Sequence, residues 1–468
     1  MNTKFALPLV VASSVLLAGC FDGDDDPAKT SVRVIHASSD APAVNVRVND
    51  QTVVSGADYK QAAVLTPNAG TASIAVDGIL PGGETATVID ADASLRFDTK
   101  YDVIAVGKVG DQTIAPLILA DDGERESADS VRLRVAHLSP DAQEVAGGPV
   151  DVYVTAAGAE LPAEATFSFA FQESVGPLEV PAGEYQIRVT PTGSDTVVYD
   201  SGAVTLPSGA DLLIGAIDNT VYGASPVSLL VINGGETNEI LSADTGAGIR
   251  AVHNSSDAGP VDLYVNRTPG TDEPNVSGLL YTETVPAVAS LGSYVGLETG
   301  ENNVAITAAD GTEAVIEAAL DLEIGDVLTV IAAGTAADSS LQALAFADDN
   351  RSIATAAKLR VIHGAFEAQV VDVYLLPTAA GGAAETAIDG STAPALDDFQ
   401  FGESSGYLQV AAGDYVVIVT DTDGNQLLKT GSIPLAAGGV YTAIARLSES
   451  PEPGAVADIT GIDDASAL

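Results

Sequence analysis

The chain has no Trp, one Cys, one Met and four His, and its 19 Lys and Arg stand against 65 Asp and Glu. A single cysteine rules out a disulfide framework within the chain. The scarcity of cations, at a net charge of −46, argues against nucleic acid, whose phosphates need Lys and Arg to displace their counterions. It argues equally against docking on anionic lipid. The acidic excess reads as a surface built for solubility, with calcium as the alternative partner. Amphipathic helices of useful length are missing too. The apolar stretch Phe5 to Leu17 is interrupted by Pro8 and is too short to span a bilayer.

What the chain does have is one short stretch used four times. The clearest copy is Leu133-Arg134-Val135-Ala136-His137-Leu138-Ser139-Pro140-Asp141-Ala142, followed by Val150-Asp151-Val152-Tyr153-Val154. It recurs from Val32 to Ala41, from Ile249 to Ala258 and from Leu359 to Ala368. All the histidines, His36, His137, His253 and His363, are the fifth residues of these copies, 101, 116 and 110 residues apart. That spacing is one small domain per copy.

Each unit reads as all-β. Alternation puts Leu133, Val135 and His137 on one face of the opening strand and Arg134 on the other. Ser139-Pro140-Asp141 reads as a turn. A second shared passage, Phe171 to Tyr185 and Phe401 to Tyr415, ends in a glycine turn that feeds another alternating strand. Glu313 to Leu322 has helical propensity, but its place in the repeat assigns it to a strand. About seven short strands per unit indicate four tandem immunoglobulin-like β-sandwich domains. The predicted boundaries are a signal peptide at 1–19, a lipidated Cys and acidic tether at 20–30, and sandwiches at 31–127, 128–245, 246–355 and 356–468. Short acidic links between them predict a rod.

The Arg-Val-x-His-x-Ser-x-Asp-Ala start, the Val-Asp-Val-Tyr-Val strand and the Ala-Gly-x-Tyr hairpin resemble the uncharacterised bacterial family called domain of unknown function 4397. The resemblance is strongest in units two to four, since unit one has Asn45 and Arg47 where the others have Asp and Tyr. It implies secreted or surface-anchored β-sandwich proteins and transfers no activity or site.

Several constellations are candidates for chemistry. The four histidines sit on the apolar face, where a buried ring satisfies loop carbonyls and amides; one histidine and one carboxylate fall short of a transition-metal site. The expectation is structural histidines, with no catalytic residue, metal or cofactor. Arg134 with Asp151 and Tyr153, Arg250 with Asp262 and Tyr264, and Arg360 with Asp372 and Tyr374 share a face. If the two strands are neighbours, they form an exposed cross-strand pair worth about 0–1 kcal/mol, or an aromatic–polar patch for sugars. Gly402-Glu403-Ser404-Ser405-Gly406 matches the nucleophile-elbow pattern without the helix it requires, which leaves an envelope hydrolase as a distant alternative. Asp421-Thr422-Asp423-Gly424-Asn425 is calcium-like but lies where a hairpin turn belongs.

At the N-terminus, Leu17-Ala18-Gly19-Cys20 resembles a bacterial lipobox, which implies cleavage before Cys20 and lipidation of its sulfur. Phe21 in the following position lacks the inner-membrane retention aspartate, which favours the outer membrane. The reading is a non-enzymatic envelope protein, anchored through Cys20, with a protein or glycan partner. Replacing Cys20 by Ser is expected to move the protein from the membrane pellet to the soluble fraction; a chain that stays in the pellet would refute the anchor.

Overall fold

The computed structural model describes residues 28–287, 293–378, 388, 391–447 and 457–465. The signal peptide, Cys20 and the tether up to Pro27 lie outside the described residues. No helix among the described residues is long and apolar enough to cross a membrane.

Each repeat is two β-sheets packed face to face. In repeat 1 the first sheet runs Ala62–Leu65, Ser31–His36, Lys100–Val106, Ala115–Asp121, and the second Gln51–Ala57, Val44–Val48, Gly70–Ile79, Thr85–Leu95. The opening strand pairs parallel with the central strand of its sheet, as Ser31–His36 does with Lys100–Val106, and the same pairing recurs in every repeat. After the histidine the chain crosses to the other sheet, so the Val-Asp-Val-Tyr-Val strand is not a neighbour of the opening strand. The crossing is forced by burial. Val131, Leu133 and Val135 face the interior together with Val150 and Val152, and only the opposite sheet lets both apolar rows meet.

The strand content is richer than seven per unit, with eight, ten, nine and nine strands in repeats 1 to 4 among the described residues. Ala314–Leu322 is a strand. Two local expectations are corrected. The Ser139 turn opens a short helix, Pro140–Ala146, whose N-cap hydroxyl accepts the Ala142 amide at 3.0 Å, with Pro at the first turn and left-handed Gly147 closing it. Part of the acidic link expected between repeats 2 and 3 forms a further strand, Glu236–Ile240, paired with Val227–Asn233.

The larger correction concerns the rod. The outer face of each first sheet is apolar as well, and the repeats pack on each other through it. Ile35, Ile104 and Val106 of repeat 1 form one buried cluster with Leu138, Leu213, Ile217 and Ile232 of repeat 2. Val252 and Ile331 of repeat 3 do the same with Ile362 and Ile444 of repeat 4. Repeats 2 and 3 touch where the Tyr222 ring meets Tyr294 edge-on at 6.0 Å. The link between repeats 3 and 4 reaches back to repeat 1, where Ala354 donates its amide to the Asp40 carbonyl at 2.8 Å. Short links permitted this as readily as a rod; the apolar outer faces decided it.

Gly364, directly after the fourth histidine, shows how close the second seam is. A Cβ placed there would lie 2.4 Å from Asn254 Nδ2 of repeat 3 and 2.9 Å from the Ala445 carbonyl. Asn254 donates to the Gly364 carbonyl at 2.9 Å. Gly364→Val is therefore expected to destabilise the seam between repeats 3 and 4 by about 1–3 kcal/mol. Calorimetry reads this as a lowered transition, and an unchanged thermogram would refute the contact.

Candidate functional site

The four histidines end the opening strands and are buried, with 3% of His36 and 1% of each of the others exposed. The ring is held the same way in most copies. His36 and His253 direct Nε2 to the carbonyl six residues on, Pro42 at 3.0 Å and Gly259 at 2.7 Å. His137, His253 and His363 receive at Nδ1 the amide two residues on, from Ser139, Ser255 and Ala365, at 3.3–3.4 Å. An Nδ1 that accepts places the proton on Nε2. Each ring also meets an aromatic edge-on, Tyr59, Phe171, Tyr281 or Phe401, at 6.1–6.3 Å between centroids. These aromatics open or precede the second shared passage, and their partnership with the histidines was not read from the sequence. Its only trace there was that both recur in all four units.

Burial dominates the ionisation of these rings. It lowers the pKa of His137 and of His363 from 6.5 to about 4, and lowers those of His36 and His253 against the pull of the Pro42 and Gly259 carbonyls. The rings are neutral at pH 7.

The motif aspartate does not meet the histidine. Asp40 accepts the amides of Val109 and Gly110, both at 2.8 Å, and Asp257 those of Ala336 and Ala337 at 2.8 and 2.9 Å. The carboxylate thus ties the histidine turn to the last hairpin of the same first sheet, about 70 residues on in repeat 1. In repeat 2, Asp141 pairs instead with Lys108 of repeat 1 at 2.7 Å. Glu367 of repeat 4 sits in a single 3-10 turn, Phe366–Ala368.

The expected exposed pairing of Arg134 with Asp151, Arg250 with Asp262 and Arg360 with Asp372 does not form, because the two strands lie in opposite sheets. Asp151 accepts Thr192 Oγ1 and the Gly193 amide, Asp262 the amides of Gly278 and Asp310, and Asp372 that of Asp398. These are loop anchors on the second sheet. Tyr153, Tyr264 and Tyr374 are buried, so they offer no open aromatic platform there.

The arginines are buried in the seams between repeats. At the first seam Asp102 bridges Arg33 (2.7 Å) and Arg134 (3.4 Å), and Asp121 bridges Arg134 (3.0 Å) and Arg132 (2.8 Å). Asp211 bridges Arg132 (3.0 Å) and Lys100 (2.8 Å). Asp102 and Asp211 each join cations from both repeats, and Asp121 of repeat 1 holds two arginines of repeat 2. At the second seam Arg360 pairs with Asp348 of repeat 3 at 2.6 Å, both side chains being essentially inaccessible. Arg360 also donates to Thr442 Oγ1 and stacks on the Tyr407 ring at 4.7 Å. Arg250 stacks on Tyr294, 4.9 Å from its centroid. A third contact ties the link between repeats 3 and 4 to repeat 1. Arg351 donates to the Ser39 and Ala41 carbonyls and to Asp58 Oδ1 at 2.7 Å, over the Tyr59 ring.

Ser404 opens the strand Ser404–Val410 and its hydroxyl accepts the Gly406 amide; no helix follows it. The Asp421 carboxylate closes its own hairpin on the amides of Asp423 and Asn425. Among the described residues one group of metal-capable side chains forms, Asp372 with Asp397 and Asp398. Three carboxylates, one of them already holding an amide, fall short of the six to eight oxygens calcium takes.

A family model described as domain of unknown function (DUF4397) matches the chain four times, at residues 30–147, 146–264, 247–374 and 378–467. The first three matches each run past a structural repeat through the opening strand of the next. No curated protein matches. Among solved structures, the product complex of SpuA, a multi-modular glycogen-degrading pneumococcal virulence factor, is similar at 10% identity and a TM-score of 0.14, over 61% of this chain. The chain spans 37% of that structure's length.

The buried histidines make stability depend on pH in a defined direction. Between pH 6.5 and about 4 the unfolded chain takes up protons that folded His137 and His363 refuse, so stability falls as pH drops through this window. Each ring contributes up to about 3 kcal/mol of that loss. NMR titration of the imidazoles is expected to find none titrating near 6.5; four free titrations there would refute the burial.

Proposed function

The chain belongs to the domain of unknown function 4397 family across residues 30–467, and from that premise we propose that it is a non-enzymatic scaffold of the cell envelope, held by a lipid on Cys20 and presenting repeated loops to a protein or glycan partner. The observation that carries this reading is the set of seams. Buried ion pairs and apolar faces join the repeats into one body, so their outward loops stand in fixed relation to each other. Fixed spacing favours a partner with repeated epitopes, because the second contact then forms at high effective concentration. The use of all four histidines as structural posts supports a role without catalysis, as does a serine that lacks its elbow. An outer-membrane address rests on the lipobox and on Phe21.

The direct test is a screen of the chain from Thr30 onward against glycans and envelope surface proteins. Binding that weakens markedly when the partner is offered as a monovalent fragment is the expected result. An esterase activity abolished by Ser404→Ala, with no binding partner, would replace this reading with the hydrolase.

A further inference from the structure

Repeat 4 is hollow where the other repeats are filled. The cavity between its sheets measures about 300 Å³, against about 40, 30 and 10 Å³ in repeats 1, 2 and 3. The core reflects this. Repeats 1 to 3 each have one continuous inter-sheet cluster, whereas that of repeat 4 is split into two, one around Val373 and Val419 and one around Leu359 and Leu435.

The strand registers identify the missing side chains. Val361 on the opening strand pairs with Ala443 on the central strand, which pairs in turn with Gly461. The same three stations are Val135, Ile214 and Val231 in repeat 2, and Val34, Val103 and Ile118 in repeat 1. Across the gap, the station of Tyr199, opposite Val189 in repeat 2, is held by Leu428, opposite Val419. The station of Phe167, opposite Val152, is held by Leu396, opposite Val373. Three of these smaller residues, Leu396, Ala443 and Gly461, line one space. A Cβ on Gly461 would meet nothing within 4 Å, and Gly461 is itself exposed, which marks where the cavity opens to solvent.

The chemistry of the wall defines the occupant. It is largely aliphatic, and its tyrosine hydroxyls are already engaged: Tyr415 donates to the Ala411 carbonyl at 2.7 Å and Tyr441 accepts the Ala436 amide at 3.1 Å. His363 lines the space as a neutral ring. Among the described residues that line it, none carries a charge to meet a charged ligand. Cavities of this kind stay dry and take up apolar molecules, and one of about 150 Å³ holds benzene. The geometry points to repeat 4 as a binding domain for a small uncharged hydrocarbon group, an alkyl chain or substituted ring of about twice benzene's volume, entering beside Gly461.

The test uses the full chain carrying Cys20→Ser and labelled at alanine methyls, titrated with n-octanol and with toluene. Saturable shifts of the Ala443 and Ala445 methyls are expected, without shifts of Ala216 and Ala332, which hold the station of Ala445 in repeats 2 and 3. The melting temperature should rise with probe concentration, since the ligand binds the folded state. Ala443→Ile with Gly461→Val, which restores the repeat 2 pair, should abolish both responses. The reciprocal change, Ile214→Ala with Val231→Gly, should confer them on Ala216; it decides the matter if the filled variant does not fold. No saturable shift up to the solubility limit of either probe, or an unchanged response in the filled variant, would overturn the proposal.

Discussion

Each opening strand must be buried on both of its faces, and the rest of the molecule follows from meeting that demand. One row of its side chains, ending in the histidine, belongs to the core of its own sandwich. The other row, carrying an arginine and small or branched apolar residues, needs a second cover. Repeats 2 and 3 show this most fully, with every residue from Val131 to His137 and from Ala247 to His253 buried. A sheet with a wet outer face would alternate apolar and polar side chains. Here the outer face is closed by the neighbouring repeat, so tandem duplication supplies the partner surface in the same chain.

Apolar burial holds the seams without setting their register, since it has no direction. The carboxylates add direction. Asp102, Asp121 and Asp211 each bridge two cations. Removing Asp102 or Asp121 would leave buried Arg134 short of a partner, at a cost of up to about 3–5 kcal/mol, whereas the half-exposed Lys100–Asp211 pair contributes about 0–1 kcal/mol. The second seam reuses the plan with different residues. Asp348 takes the place of Asp121, and Thr329 that of Asp102. Fewer charges converge there, and Tyr407 covers Arg360 with its ring instead. At least ten of the chain's 19 Lys and Arg, namely Arg33, Lys60, Lys100, Lys108, Arg132, Arg134, Arg351, Lys358, Arg360 and Arg446, contact another repeat. The surface left over is therefore more acidic than the composition alone conveys, which keeps these bodies apart from each other and from anionic membranes.

The repeats share a frame but not an interior. The station of Ile214 is Val103 in repeat 1, Val330 in repeat 3 and Ala443 in repeat 4. Each choice is apolar and compatible with a strand. Their volumes set whether the space between the sheets is full, and close packing makes a difference of a few methylenes visible as a cavity.

The primary sequence by itself determined the repeat, the strands and the burial of the histidines. Period-two alternation, a histidine at a constant place and a glycine–tyrosine hairpin are local signals, and they survive whatever surrounds them. The short helix at Pro140 was legible as well, in the Ser-Pro start and the Gly-Gly stop, and was passed over for a turn because only two helical turns lie between them. The partners of Arg134, Asp151 and the motif aspartates were decided by tertiary structure alone. Alternation says which residues share a face of one strand, but it is silent on which sheet the next strand joins and on what lies across a domain seam. Those contacts join residues tens to hundreds of positions apart, and their energies depend on a burial that exists only once the repeats have packed.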